Sequence, residues 1–384
     1  MRERKMKRMR CPDRIAALHC LPLSVLLVCA ATAQPPQMRH YQARSPLPVP
    51  DVGGYRTLKG DFHLHTVFSD GLVWPPLRVL EAWRDGLDVI ALTDHADAAP
   101  PNKDILKPDL NLPYRLARAQ AERHGIILIP GVEISPGAIH CNALFVKDAN
   151  EGPGADLHAA LRRMRAQGAF IFWNHPGDRW IPEIAAAHAE GLIHGVELVN
   201  EETFYPEIYP LVEEKKLTVF ANSDMHMAMP AATESRRRPL TLLFVRTADE
   251  EGVREALFAR RTAAWSGNSL WGPEEFLKGL WEGAVKVDPA PIVSRPPGGS
   301  VRVRFQNLSA IPFQIQVRNT PSWLHGGMGE VRAEGMYSHA MSIAADAPAG
   351  EHRIELSVEI VNLHIGPNRN LIVRVPVRIN VVRR

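Results

Sequence analysis

From Leu58 to Arg261 the sequence keeps one rhythm. Short runs that are apolar almost throughout alternate with stretches of helical spacing, and many runs lead into a histidine, aspartate or glutamate. The runs are Phe62–Thr66, Val89–Thr93, Ile126–Pro130, His140–Val146, Ala169–Trp173, Val196–Val199, Thr218–Ala221 and Leu240–Val245. Between them, Pro75 and Pro76 open a helix with Val79, Leu80, Trp83 and Leu87 on one face. Residues 112–124 form a helix closed by Gly125, and Ala155–Gln167 one closed by Gly168. Ile181–Ala189, Pro206–Lys216 and Asp249–Arg261 follow, the last read as the final helix. Strands buried on both faces and joined by helices require a parallel sheet or barrel. In such folds the site lies at the carboxyl ends of the strands.

That is where the metal-type residues fall. His63 and His65 stand two apart, and in extended chain residues i and i+2 face the same side. Asp70 follows on a Ser-Asp-Gly loop that can carry a carboxylate back to them. His95, Glu133, His175, Asp224 and His226 sit just beyond later runs, and His140 opens one with a parity that lets it point inward. Imidazoles and carboxylates without thiolate suit Zn, Mn or Fe. Nine groups exceed the needs of one ion, so two or three divalent ions are expected, with Glu133 as the natural bridge. His158, His188 and His194, on helices or helix ends, read as structural.

The first 33 residues hold seven basic residues and two acids, an apolar stretch Ala16–Val28, and Ala31-Thr32-Ala33 before Gln34. This pattern is that of a secretory signal cut after Ala33. The apolar stretch is short and carries Pro22, so no stable membrane span is expected. Without this segment the formal charge of +3 drops to about −2, which leaves no electrostatic case for nucleic-acid binding. Cys11, Cys20 and Cys29 leave with the signal, and Cys141 alone allows no internal disulfide. Residues 34–57 read as an extended lead-in, 58–285 as the barrel, and 286–299, rich in Pro and Gly, as a linker. Residues 300–384 show alternating runs (Val301–Gln306, Phe313–Val317, His352–Val361, Leu371–Val381) and no helical spacing, as in a β-sandwich. Its histidines, His325, His339, His352 and His364, are scattered and read as structural. This domain is a candidate for packing on the barrel, for oligomer contacts or for glycan binding.

The ordered motifs His63-Leu64-His65-Thr66 with Ser69-Asp70-Gly71, Leu92-Thr93-Asp94-His95, Gly131-Val132-Glu133-Ile134-Ser135, Asn174-His175-Pro176 and Ser223-Asp224-Met225-His226 resemble the PHP (polymerase and histidinol phosphatase) superfamily of metal-dependent phosphoesterases. The resemblance covers about residues 58–265. It implies an α/β fold with a distorted (β/α)7 TIM-like barrel, a two- or three-metal site, and ligand roles for the nine residues. Pro136–Phe145 is similar to the Gly-His-x-Asn-Ala-x-Phe signature of secreted Sb-PDE-type phosphodiesterases, which join such a barrel to a C-terminal β-domain. Here Ala138 and Ile139 separate Gly137 from His140, a departure that alters the loop before the histidine.

Three neighbours complete the expected site. Asp94 is placed to hydrogen-bond a ligating imidazole, or else to cap a loop. Arg179 is placed to fork onto a phosphate oxygen. Asn200 ends a strand beside Glu201 and Glu202. Trp173 and Trp180 suit a pocket wall or the core, and Arg236-Arg237-Arg238 a solvated loop or an anion attractor. The expected function is hydrolysis of a small-molecule phosphodiester by a metal-bridged hydroxide, the diester preference coming from the resemblance alone. The alternatives are a monoesterase on sugar phosphates, nucleotides or histidinol phosphate, and a non-catalytic module that merely holds metal.

Overall fold

The computed structural model describes residues 43–97, 106, 109–233, 237–294 and 299–382. The expected export signal lies outside the described residues. Among the described residues, no helix is long and apolar enough to cross a membrane.

The strand–helix rhythm folds as a distorted barrel. Strands β1 (Arg56–Asp61), β2 (Val89–Leu92) and β3 (Ile127–Ile134) pair in parallel. β4 (Cys141–Leu144) runs antiparallel between β3 and β5 (Phe170–Trp173). β6 (Gly195–Asn200) is parallel to β5 and to β8 (Thr218–Asn222), and carries the short antiparallel β7 (Thr203–Phe204). β9 (Leu240–Val245) returns antiparallel beside β1, and β10 (Thr262–Ser266) and β11 (Ser269–Trp271) extend that side. Closure uses side chains. The Thr241 hydroxyl donates to Ala221 O and accepts from Ala221 N, both at 3.0 Å, and Thr262 Oγ1 donates to Val219 O at 2.9 Å. Two threonines thus join β8 to β9 and β10, where buried backbone groups need partners.

The helices are α1 (Pro75–Arg84), α2 (Leu112–His124), α3 (Leu157–Ala166), α4 (Pro182–Ala189), α5 (Tyr209–Glu214), α6 (Glu250–Phe258) and α7 (Glu274–Ala284). Proline in the first turn starts α1, α2, α4 and α5, where its missing N–H costs nothing. Asp156 and Asp249 cap α3 and α6 through their side chains.

Four features depart from the sequence reading. β1 ends at Asp61, so Phe62–Thr66 is not a strand but extended chain beyond the strand end, with an isolated bridge from Leu64 to Met225. Arg56–Gly60, before it, carry the pairing with β9. A further helix, α7, follows the one expected to be last. Its signal was present in Glu274 and Glu275 ahead of Phe276, Leu277, Leu280, Trp281 and Ala284, all buried on one face. Within the expected linker 286–299, strands form: β12 (Val285–Val287) and β13 (Ile292–Ser294) join the sheets of the C-terminal domain, while residues 295–298 lie outside the described residues. The lead-in also packs. Val52 and Pro50 lie over Gly279 and Gly283 of α7, so close that a Cβ on Gly279 would stand 2.1 Å from Val52 Cγ1.

The C-terminal domain is a two-sheet sandwich, as its alternation predicts. One sheet is β13, β20 (Arg369–Val381), β19 (Gly350–Gly366), β15 (Phe313–Arg318) and β17 (Met328–Val331). The other is β12, β14 (Ser300–Asn307), β18 (Met336–Ile343) and β16 (Leu324–His325). On β14, Val301, Val303 and Phe305 point inward while Arg302 and Arg304 point out. The sandwich packs on the barrel. One apolar cluster contains Phe244 and Trp265 of the barrel, Leu277 and Trp281 of α7, and Phe305 and Phe313 of the sandwich. β19 also pairs in parallel with β11.

Candidate metal centre

The nine sequence-predicted ligands come together on one side of the barrel, eight of them at or beyond the carboxyl ends of strands and His140 at the amino end of the antiparallel β4. The rings of His63 and His65 lie 5.1 Å apart, so the same-face expectation holds although the segment lies past the strand. His63 Nε2 and His65 Nε2 approach Asp224 Oδ1 to 3.2 and 3.0 Å, and each lies 3.4 Å from an oxygen of Glu133. Gly71 makes the return of Asp70 possible. A Cβ there would sit 2.7 Å from the carbonyl carbon of His65, so only glycine lets the loop close this tightly. Asp70 then stands 3.2 Å from His226 Nε2 and 3.5 Å from His95 Nε2.

Three sets of ligand atoms lie close enough to share an ion: His65–Asp70–His95–His226, His63–His65–Asp224, and His95–Glu133–His140. His175 stands just outside them, its Nε2 3.8 Å from Glu133 Oε1 and its ring against His63 and His140. Asp224 and His175 have left-handed backbones, φ 49° and 27°. Such conformations in non-glycine residues concentrate at functional sites. His158, His188 and His194 stay outside the cluster, each bonded to backbone.

A second layer orients these groups. Glu197 on β6 is fully buried, and its two oxygens take four donors. Oε1 accepts from His63 Nδ1 at 2.8 Å and Asn222 Nδ2 at 2.9 Å, and Oε2 from His175 N and Asn200 Nδ2 at 2.8 Å each. With its Nδ1 proton on Glu197, His63 turns the Nε2 lone pair inward. Asn174 Nδ2 holds Glu133 Oε1 at 2.7 Å, and Ser135 Oγ lies 2.9 Å from His95 Nδ1. Sequence reasoning missed Glu197, Asn174 and Ser135 in these roles. For Glu197 a signal existed: a lone carboxylate in the buried strand Gly195–Asn200 needs a polar reason.

The other predicted residues divide. Among the described residues Asp94 bonds no imidazole; it accepts from Thr66 N, Thr66 Oγ1 and Ser69 Oγ, each at 2.7 Å, and so caps the loop carrying Asp70. Its link to a ligand runs through Ser69 Oγ, 3.3 Å from His65 Nδ1. Asn200 does reach the centre, donating to Asp224 Oδ2 at 3.2 Å. Arg179 is exposed and makes no ion pair among the described residues. Trp173 lies in the core and the half-buried Trp180 meets it edge to face. Arg238 does not belong to a solvated loop: it is buried between Asp61 and Asp85 at 3.2 and 2.8 Å, while Arg237 lies over Trp265. Two buried carboxylates take in that guanidinium where chain order suggested a basic surface. Arg236 lies outside the described residues.

The electrostatics are those of a cation site. Burial would raise Glu133, yet the imidazoles, His63 foremost, hold it well below the usual carboxylate range; Asp224 and Asp70 are likewise lowered against burial. His63 is raised well above its ordinary value because Asp224, Glu197 and Glu133 outweigh its burial. Asp70 and Glu133 push His95 up to about 10 against burial; His175 is raised against burial by Glu133 and Glu197, and His226 by Asp70 and Asp224. His65 is lowered by burial and by its neighbour His63. Four atoms at the middle, His63 Nε2, His65 Nε2, Glu133 Oε2 and Asp224 Oδ1, are buried without a hydrogen-bond partner. Buried polar atoms are rarely left so. Inward imidazole nitrogens facing ionised oxygens, able to give up their protons to a bound cation, fit divalent ions, and this donor set therefore suits the expected ions.

No family model matches the sequence, and no curated protein matches it. Among solved structures, the chain is similar to a two-domain protein from Bacteroides vulgatus containing a predicted PHP-like metal-dependent phosphoesterase. The two share 34% identity with a TM-score of 0.79, over 88% of this chain and 99% of that one. An amidohydrolase from Chromobacterium violaceum with bound sulfate overlaps less, at 16% identity and a TM-score of 0.37, over 52% of this chain and 96% of that one. With the motif order, the barrel and sandwich, and a full-length relative at this identity, the chain belongs to the family of PHP-like metal-dependent phosphoesterases.

Proposed function

We propose that this chain is an exported hydrolase of small-molecule phosphodiesters. His63, His65, Asp70, His95, Glu133, His140, His175, Asp224 and His226 would hold two or three divalent ions (Mn, Zn or Fe). The observation that carries this reading is the set of four buried, unpartnered atoms facing one another at the centre. Ions bound there would supply an acidified water and polarise the phosphoryl oxygens.

The chain's own residues do the rest. His63, His65 and Glu133 form a dry floor, all fully buried, whereas Asp70, His175 and His226 are partly open and form the mouth by which substrate enters. Exclusion of water from the floor strengthens every charge interaction made there. Glu197 keeps the His63 proton on Nδ1. Asn200, with its amide spent on Glu197 and Asp224, positions Asp224 and does not touch phosphate. Arg179 is the group we assign to a non-bridging phosphoryl oxygen, since it follows His175 by four residues, is exposed, and makes no ion pair among the described residues. The features of residues 1–33 support export.

Protein loaded with Mn or Zn is expected to hydrolyse bis(p-nitrophenyl) phosphate faster than p-nitrophenyl phosphate. Faster cleavage of the monoester would replace the diester reading. Stoichiometric metal with neither activity would support a module that only holds metal.

A further inference from the structure

The buried guanidinium of Arg78 lies directly behind the centre and belongs to none of the motifs. It sits in the first turns of α1, and its side chain is fully buried. All five of its N–H donors are used. Nε donates to His65 O at 2.8 Å, Nη1 to Met227 O at 2.7 Å and Glu81 Oε2 at 2.8 Å, and Nη2 to Met225 O at 2.8 Å and His226 O at 2.9 Å. Four of the five acceptors are backbone carbonyls, and these lie on the two segments that deliver His65 on one side and Asp224 with His226 on the other. The segments otherwise meet through His65 N to Met225 O at 3.2 Å and Leu72 N to His226 O at 2.9 Å. Glu81 supports the same seam, accepting from Arg78 with one oxygen and from Met229 N with the other at 2.8 Å.

We propose that Arg78 is a positioning residue that clamps the His65 segment to the 225–227 segment, fixing the spacing of His65, Asp224 and His226 and hence the affinity for the ions they share. The inference rests on the ligand reading above. A planar fork is needed because the carbonyls converge from two segments. Lysine offers three donors on a point charge and cannot serve five acceptors in one plane. An anchor for stability alone would need no particular register between two ligand-bearing segments. Outer partners that orient metal ligands act on metal affinity, by about 10–100-fold when removed.

The test compares Arg78→Lys, Arg78→Met and Glu81→Gln with wild type, reading Mn affinity and stoichiometry by calorimetry, kcat and KM at rising Mn, and the unfolding midpoint. Arg261→Lys serves as a control, because Arg261 is also buried and bonded to a carbonyl (Phe244 O, 2.9 Å) and to Glu255, without contact to a ligand segment. Folded Arg78→Lys should lose about tenfold or more in affinity for at least one ion and regain kcat in excess Mn with KM unchanged. Glu81→Gln should shift affinity in the same direction by less, and this variant carries the test if both changes at Arg78 prevent folding. Arg261→Lys should lower the midpoint and leave affinity alone. Wild-type affinity and stoichiometry in the folded variants would overturn the clamp. A wild-type protein that takes up no Mn would overturn the ligand reading, and the clamp with it.

Discussion

Single residues at this centre are selected by the number of donors or acceptors they can offer. Glu197 is the plainest case. It faces four donors and no acceptor, a setting that only an ionised carboxylate satisfies with both oxygens. Glu197→Gln puts an amide NH2 against two of those donors, and so unseats either His63 and Asn222 or His175 and Asn200. The expected result is a loss of about 10–100-fold in metal affinity with the far-ultraviolet circular dichroism unchanged. An unchanged affinity by calorimetry would show that His63 keeps its tautomer without help. Asp94 illustrates the converse. The Thr-Asp-His motif was readable, but whether its aspartate faces an imidazole or a loop depends on where Thr66 and Ser69 come to lie.

At the scale of elements, the helix that chain order hid turns out to join the two domains. α7 buries Phe276, Leu277, Leu280 and Trp281, and its neighbours come from the barrel, the lead-in and the sandwich alike. Burial of a large apolar side chain contributes about 1.5–3 kcal/mol, against a whole-domain stability of roughly 5–15 kcal/mol. A chain cut after Val287 would expose the sandwich-facing side of this cluster. It is expected to be aggregation-prone or to unfold at a clearly lower temperature than the full chain, as read by thermal melts and size-exclusion chromatography. A truncated barrel that melts like the full chain would show that the shared core adds little. The β1 boundary was misjudged for a related reason. A strand is defined by its partners, and the partners of Arg56–Asp61 on β9 lie far along the chain.

For the whole molecule, the centre couples protons to metal. With no ion bound, His63, His95, His175 and His226 keep their protons above their ordinary range because the acids around them stand in as counter-charges. A raised folded-state value stabilises the metal-free fold below the unfolded value near 6.5, and that stability is lost as pH climbs through the folded one, about 10 for His95. Metal loading expels these protons, so affinity should rise with pH from 6 to 9, and the melting-temperature gap between loaded and metal-free protein should widen over the same range. Calorimetry in buffers of different ionisation enthalpy should show net proton release at neutral pH. A gap that stays flat with pH would contradict the assigned ligands.

What the sequence determined by itself was whatever is local. The apolar runs set a barrel because a strand buried on both faces has few other homes. The i, i+2 spacing and the strand-end positions brought most of the polar groups to one centre, and period-two alternation set the sandwich. Only the tertiary structure decided which polar neighbours serve the centre. Glu197 meets His63 across 134 residues and Arg78 meets His226 across 148, and no local pattern records such a pairing. The same holds for the threonine closure of β8 and for α7 as a shared core. A buried donor or acceptor takes its partner from whatever the fold brings within about 3 Å, and that is a property of the packed chain.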